Sequence, residues 1–79
     1  MNIGMLWFDN DPHTELTNRV ARAAAYYQNK YGRSPNLCFV HPSMVKGTPL
    51  KTGTIELRPS RSVLPNHFWL GIGSNGGSA

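Results

Sequence analysis

Between Pro12 and Gly32 the chain carries its one clear stretch of helical period, and that single helix limits what the rest can form. Leu16, Val20, Ala23, Ala24, Tyr27 and Tyr31 recur at about 3.6 residues and define one apolar stripe. Ala21, Ala23, Ala24 and Ala25 favour the helix and let it approach a sheet closely. The run Asp9-Asn10-Asp11-Pro12 reads as the start signal. Asp11 is expected to cap the free N–H groups of the first turn, with Pro12 at the first helical position, where its missing N–H costs nothing. Glu15 then lies near the positive end of the helix dipole, four residues before Arg19 in the favourable order for an ion pair. Gly32 stops the helix, and Arg33-Ser34-Pro35-Asn36 leads out.

With one helix spent, the other apolar runs must be strands. Ile3 to Phe8 is apolar on both faces, which suits a central or doubly covered strand. Leu37 to His41 is the second, closed by Pro42. Strand, helix, short loop and strand form a βαβ unit, which predicts these two strands side by side, parallel and joined right-handedly. Residues 43–52 show no period and read as a loop. Gly53 to Arg58 alternates, with Ile55 and Leu57 inward and Glu56 and Arg58 outward, and Pro59 closes it. Ser60 to Asn66 is a polar connection anchored by Val63 and Leu64. His67 to Ile72 is the last strand, with Phe68, Leu70 and Ile72 on one face.

The expected fold class is α+β with an α/β-like start, in the order β-α-β-β-β: one amphipathic helix on a three- or four-stranded mixed sheet. Residues 1–72 form a single domain, and 73–79, built only of Gly, Ser, Asn and Ala, a flexible tail. All six prolines fall at element edges, in agreement with this division. A lone helix covers one face of a sheet. The other face exposes large apolar side chains unless a second subunit covers it, so a homodimer is an expectation of the pattern. Cys38 is the only cysteine, so no disulfide can form within the chain; with no signal-peptide pattern, a reducing, cytoplasmic setting is expected. The opening apolar run is far too short to span a membrane.

Charge is distributed unevenly. The formal net charge is +4, but three of the four acids (Asp9, Asp11, Glu15) fall in the first fifteen residues. From residue 16 onward eight Lys/Arg face Glu56 alone, a net of +7. Such a bias favours anionic partners, nucleic acid first, although it also serves plain solubility. Arg58-Pro59-Ser60-Arg61-Ser62 pairs two arginines with two hydroxyls on a proline-stiffened turn, a set suited to phosphate oxygens. Arg33-Ser34 is a smaller group of the same kind. Arg19, Arg22 and Lys30 line the helix side opposite the apolar stripe, with Tyr26 among them. Tyr26, with His67 or Trp69 on a strand face, could stack on bases; the competing reading places Trp69 in the core.

The candidates for catalysis are weaker. Asp9, Asp11, His13 and His41 fall at the ends of the first two strands, the usual ligand edge of α/β units, and Asp9, Asp11 and His41 would serve a small metal-dependent hydrolase or nuclease. The competing reading makes the aspartates turn and capping residues. Leu6 to Asp11 resembles the nucleophile strand of haloacid dehalogenase-like phosphatases in its apolar run and Asp-x-Asp, but the hydroxyl of Thr14 is one position late and the chain is too short for that fold, so no family follows. Cys38 and His41 have zinc-like spacing, yet residues three apart in a strand point to opposite faces. No phosphate-binding glycine loop is present. The sequence therefore points to a non-catalytic binding module with no cofactor or metal, binding an anionic partner through Arg58, Arg61, Ser60, Arg33, Arg19, Arg22 and Lys30. The alternative is a dimeric structural or protein-interaction subunit.

Overall fold

The computed structural model describes residues 4–46 and 51–73. Five strands and one helix follow in the order β1 (Gly4–Phe8), α1 (Leu16–Tyr31), β2 (Leu37–Val40), β3 (Lys51–Thr52), β4 (Ile55–Pro59) and β5 (His67–Gly71), with a short 3-10 turn at Pro42–Met44. The α+β class and the single helix laid on a mixed sheet are as expected, but the strands number five. The additional one, β3, comes from the stretch read as a loop. Lys51 and Thr52 pair with Glu56 and Ile55 across a two-residue turn, and Gly53 takes φ 60 at its first central position, as a tight hairpin requires. Residues 47–50 of that stretch, and 74–79 of the expected tail, lie outside the described residues.

The sheet order is β1-β5-β2-β4-β3. β1 and β2 are therefore not neighbours. β5 lies between them, antiparallel to both, so the two strands of the expected βαβ unit run the same way with a third strand inserted. The parallel partner of β2 is β4. The physical reason is burial. Phe68 and Leu70 of β5 are fully buried, whereas β1 exposes Leu6 and Phe8 and occupies an edge. The strand that reads as apolar on both faces is thus not the most enclosed one.

The helix begins at Leu16, not at Pro12. Asp11 does not cap it. Its carboxylate instead accepts the His13 N–H (2.9 Å) and the Thr14 hydroxyl (2.6 Å), closing a separate turn ahead of α1. Glu15 takes the extended cap position without a side-chain cap bond. At the far end Gly32 adopts φ 76 and returns its N–H to the Gln28 carbonyl, the left-handed stop the sequence implies. The apolar stripe is as read: Leu16, Val20, Ala23 and Tyr27 are buried, with Ala24 and Tyr31 partly so. It packs on Met5, Cys38, Val40, Ile55, Leu57, Phe68 and Leu70 from one face of the sheet. Among the described residues no helix is long and apolar enough to cross a membrane.

At roughly 0.05–0.15 kcal/mol per residue, a chain of this length is stable by only about 4–12 kcal/mol. Phe68→Ala removes a fully buried ring and is expected to cost about 3–5 kcal/mol, a large share of that margin. Phe8→Ala, at a residue 57% exposed on the opposite face, should cost less than about 1 kcal/mol. Chemical denaturation of the two variants checks this ordering; equal losses would contradict the division into a closed and an open face.

Candidate functional site

Strand alternation sends every second side chain to the face that α1 does not cover. The cross-strand register arranges these residues in rows. Leu6 of β1 stands opposite Trp69 of β5, Trp69 opposite Phe39 of β2, and Phe39 opposite Arg58 of β4. The neighbouring row is Gly4, Gly71, Leu37 and Glu56. Gly4 has a steric role there, because a Cβ at that position would overlap the Trp69 ring. Trp69 therefore lies down over the glycine. A third row brings Phe8 against His67, ring centroids 4.9 Å apart. Phe39, Trp69 and His67 are partly exposed.

The connection between β4 and β5 borders this surface. Val63 is buried and anchors it, while Leu64 is 65% exposed, so only half of the expected apolar anchor is one. The result is a groove of about 470 Å³. Its floor is Leu6, Phe39, Trp69 and His67, and its wall is Ser60, Ser62, Val63 and Leu64. Trp69, for which core and platform are competing readings, thus faces the groove and not the packed side.

The structure divides the cations that the sequence nominates. Arg58 stands at the end of the Leu6–Trp69–Phe39 row and holds Glu56 through two hydrogen bonds, Nε–Oε2 at 3.0 Å and Nη2–Oε1 at 3.3 Å. That contact holds the Glu56 carboxyl below its ordinary range and raises the guanidinium. Arg61 is exposed between Ser60 and Ser62, beside the groove. Arg19, Arg22, Lys30 and Arg33 lie elsewhere, on α1 or just past it. Arg19 does not reach Glu15. It donates to the Asp9 carbonyl (3.1 Å) and to Asn66 Oδ1 (3.3 Å), and its guanidinium stands 6.0 Å from the Phe68 ring centre. Arg22 bridges Asp9 (3.3 Å) and Asp11 (3.4 Å) and donates to the Thr14 hydroxyl (2.9 Å). Lys30 lies over the Tyr31 ring at 5.5 Å. The six nominated cations do not gather on one surface.

The acidic candidates are built into the same polar cluster. Asp9 and Asp11 follow β1, with Arg22 between them. Asn66, the one non-glycine residue with positive φ among the described residues (66°), completes the cluster. It accepts the Asp9 N–H on its carbonyl at 2.9 Å and Arg19 on its side chain. His41 follows β2, two positions away in the sheet, and its Nδ1 accepts the Ser43 N–H. Cys38 points into the core, where burial pushes its thiol up to about 12, far from a reactive thiolate. Among the described residues, no group of three or more His, Cys, Asp or Glu is placed to hold a metal ion.

Sequence reasoning alone does not identify Leu6, Phe39 and Ser62 as parts of one surface, because only strand order brings them together. Comparison with family models, with curated proteins and with solved structures finds no match.

The polar cluster has a pH signature. The Thr14 hydroxyl, then the His13 N–H, then Arg22 hold the Asp11 carboxyl below its ordinary value. A depressed carboxyl contributes stability that is present above the unfolded-state pKa and lost as pH falls through the folded one. The melting temperature should therefore decline below about pH 4. Asp11→Asn should lower it at neutral pH and flatten the acid-side decline; an unchanged acid slope would contradict this assignment.

Proposed function

We propose that this chain is a non-catalytic binding module that receives a single-stranded nucleic acid on the helix-free face of its sheet. The observation that carries the reading is the row Leu6, Trp69, Phe39 and Arg58, in register on one open surface. A nucleic-acid strand combines bases with flat apolar faces and a charged phosphate backbone. A partner of that kind needs aromatic side chains to stack on and nearby cations or hydroxyls for phosphate. Phe39, Trp69 and His67 offer the first. Arg58, Arg61, Ser60 and Ser62 offer the second.

A duplex keeps its bases paired inside, so a sheet platform selects unstacked single strands. The basic excess after residue 16 supports attraction of a polyanion from a distance, even though Arg19 and Arg22 are engaged within the fold. In this reading Arg58 exchanges Glu56 for a phosphate, and Arg19, Arg22, Lys30 and Arg33 do not touch the ligand.

The test is a fluorescence titration of the Trp7→Phe protein, which leaves Trp69 as sole tryptophan, with a short oligothymidylate and a short oligouridylate. Binding should quench Trp69. Two neutralised phosphates, at Arg58 and Arg61, predict a slope of log affinity against log salt of roughly −1.4. Phe39→Ala should weaken binding by about 5- to 150-fold, the value of one stacked base. Arg58→Gln or Arg61→Gln should weaken it and make the salt slope shallower. Absence of quenching at low salt, or affinity indifferent to salt, would overturn the proposal.

A further inference from the structure

The two edges of the sheet are built differently. β3 is two residues long, begins with Lys51 and turns at once through Gly53. A described edge this short, opening on a lysine, is a poor template for another strand. β1 is five residues long, Gly-Met-Leu-Trp-Phe, with neither charge nor proline. Its sole sheet neighbour among the described residues is β5, so one side of its main chain is left without a strand. Monomeric proteins blunt such edges with lysine, proline or a bulge, because unpaired N–H and C=O groups recruit other strands. β1 has none of these devices, and it leaves Leu6 61% and Phe8 57% exposed.

We propose that β1 pairs antiparallel with β1 of a second copy, about a two-fold axis through Leu6, joining two sheets into one of ten strands. The strand is self-complementary in this register. Leu6 meets Leu6; on either side of it Gly4 of one copy meets Phe8 of the other and Met5 meets Trp7, a smaller residue facing a larger one. No other antiparallel register pairs all five residues, and a shift by one would set exposed positions against the packed face. Phe8 of one copy then lies beside Gly4 of the other, where the Trp69 ring already lies. No charged residue falls within the seam. Asp9, the first beyond it, is held by Arg22, so the net charge of each copy is not concentrated at the contact. This assembly does not depend on the ligand proposed above. It brings the two open faces side by side, Trp69 and Leu6 of one copy continuing into Leu6 and Trp69 of the other.

Sedimentation velocity over a concentration series tests the pairing. The natural protein should sediment as a reversible dimer. Leu6→Lys puts two ammonium groups opposite each other on the axis and should give a monomer with unchanged circular dichroism. Should lysine disturb the fold, Leu6→Cys gives a second measurement: mild oxidation should yield a covalent dimer, whereas Thr54→Cys on the far hairpin should not. Cys38 is buried and should take no part in either variant. A natural protein that stays monomeric at its highest soluble concentration would overturn self-pairing and leave the edge to a strand of some other protein. A dimer that survives Leu6→Lys, or equal cross-linking at both cysteines, would also overturn it. Oligonucleotide binding by a monomeric natural protein would refute only the pairing, and a dimer indifferent to oligonucleotide only the ligand.

Discussion

One helix of sixteen residues has to close a five-stranded sheet, and it can close one side only. A helix is about 10 Å wide with its side chains. Five strands at about 4.8 Å spacing measure roughly 19 Å between the outermost axes. α1 buries the inward residues of β5, β2 and β4 and reaches the edge at β1 less fully. There Trp7 is half-buried and meets Tyr26 with ring centres 5.0 Å apart. Among the described residues the opposite face receives only the Ser60–Asn66 connection, with Val63 as its buried anchor. The groove, the exposed rings and the open edge all follow from that shortage of covering structure. Leu6, Phe8 and Leu64 are left in contact with water as a result.

The arginines fall into two separate groups in this molecule. Arg19 and Arg22 hold the β1–α1 connection to the Asn66 corner, through Asp9, Asp11 and Thr14. Arg58 and Arg61 stand by the groove on the other side of the sheet. The net charge of +4 counts both groups alike. Only the first is consumed in holding the fold, and Arg58 is shared with a single exposed carboxylate. A phosphate that displaces Glu56 would meet a guanidinium at the end of the Trp69–Phe39 row.

Local chemistry made much of this legible in the sequence. The apolar stripe from Leu16 to Tyr31, the left-handed stop at Gly32, the alternation of Ile55 and Leu57, and the shared face of Phe68 and Leu70 depend on neighbours within a few residues. Strand order does not. Nothing near Gly4 or Leu37 signals that β5, from the far end of the chain, inserts between them. The helix starts later than Pro12 for a local reason: Asp11 spends its carboxylate on its own turn, an alternative the Asp-Pro signal does not distinguish from a cap. Trp69 illustrates a third kind of miss. Its parity opposite Phe68 and Leu70 already assigns it to the other face, but its apolarity argues for the core, and parity prevails because the sheet has only one covered side. Cys38 and His41 part as well: the thiol lies in the core, while His41 follows the end of β2 and its ring meets Ser43.

One face of the sheet is closed by α1, and the other leaves its side chains open to solvent. Solvent paramagnetic relaxation with an inert, water-soluble gadolinium chelate tests it most directly. Strong broadening is expected at the Leu6 methyls and the Phe8 and Trp69 rings, with Phe68, Leu70 and Tyr27 protected. Protection of Trp69 equal to that of Phe68 would contradict it.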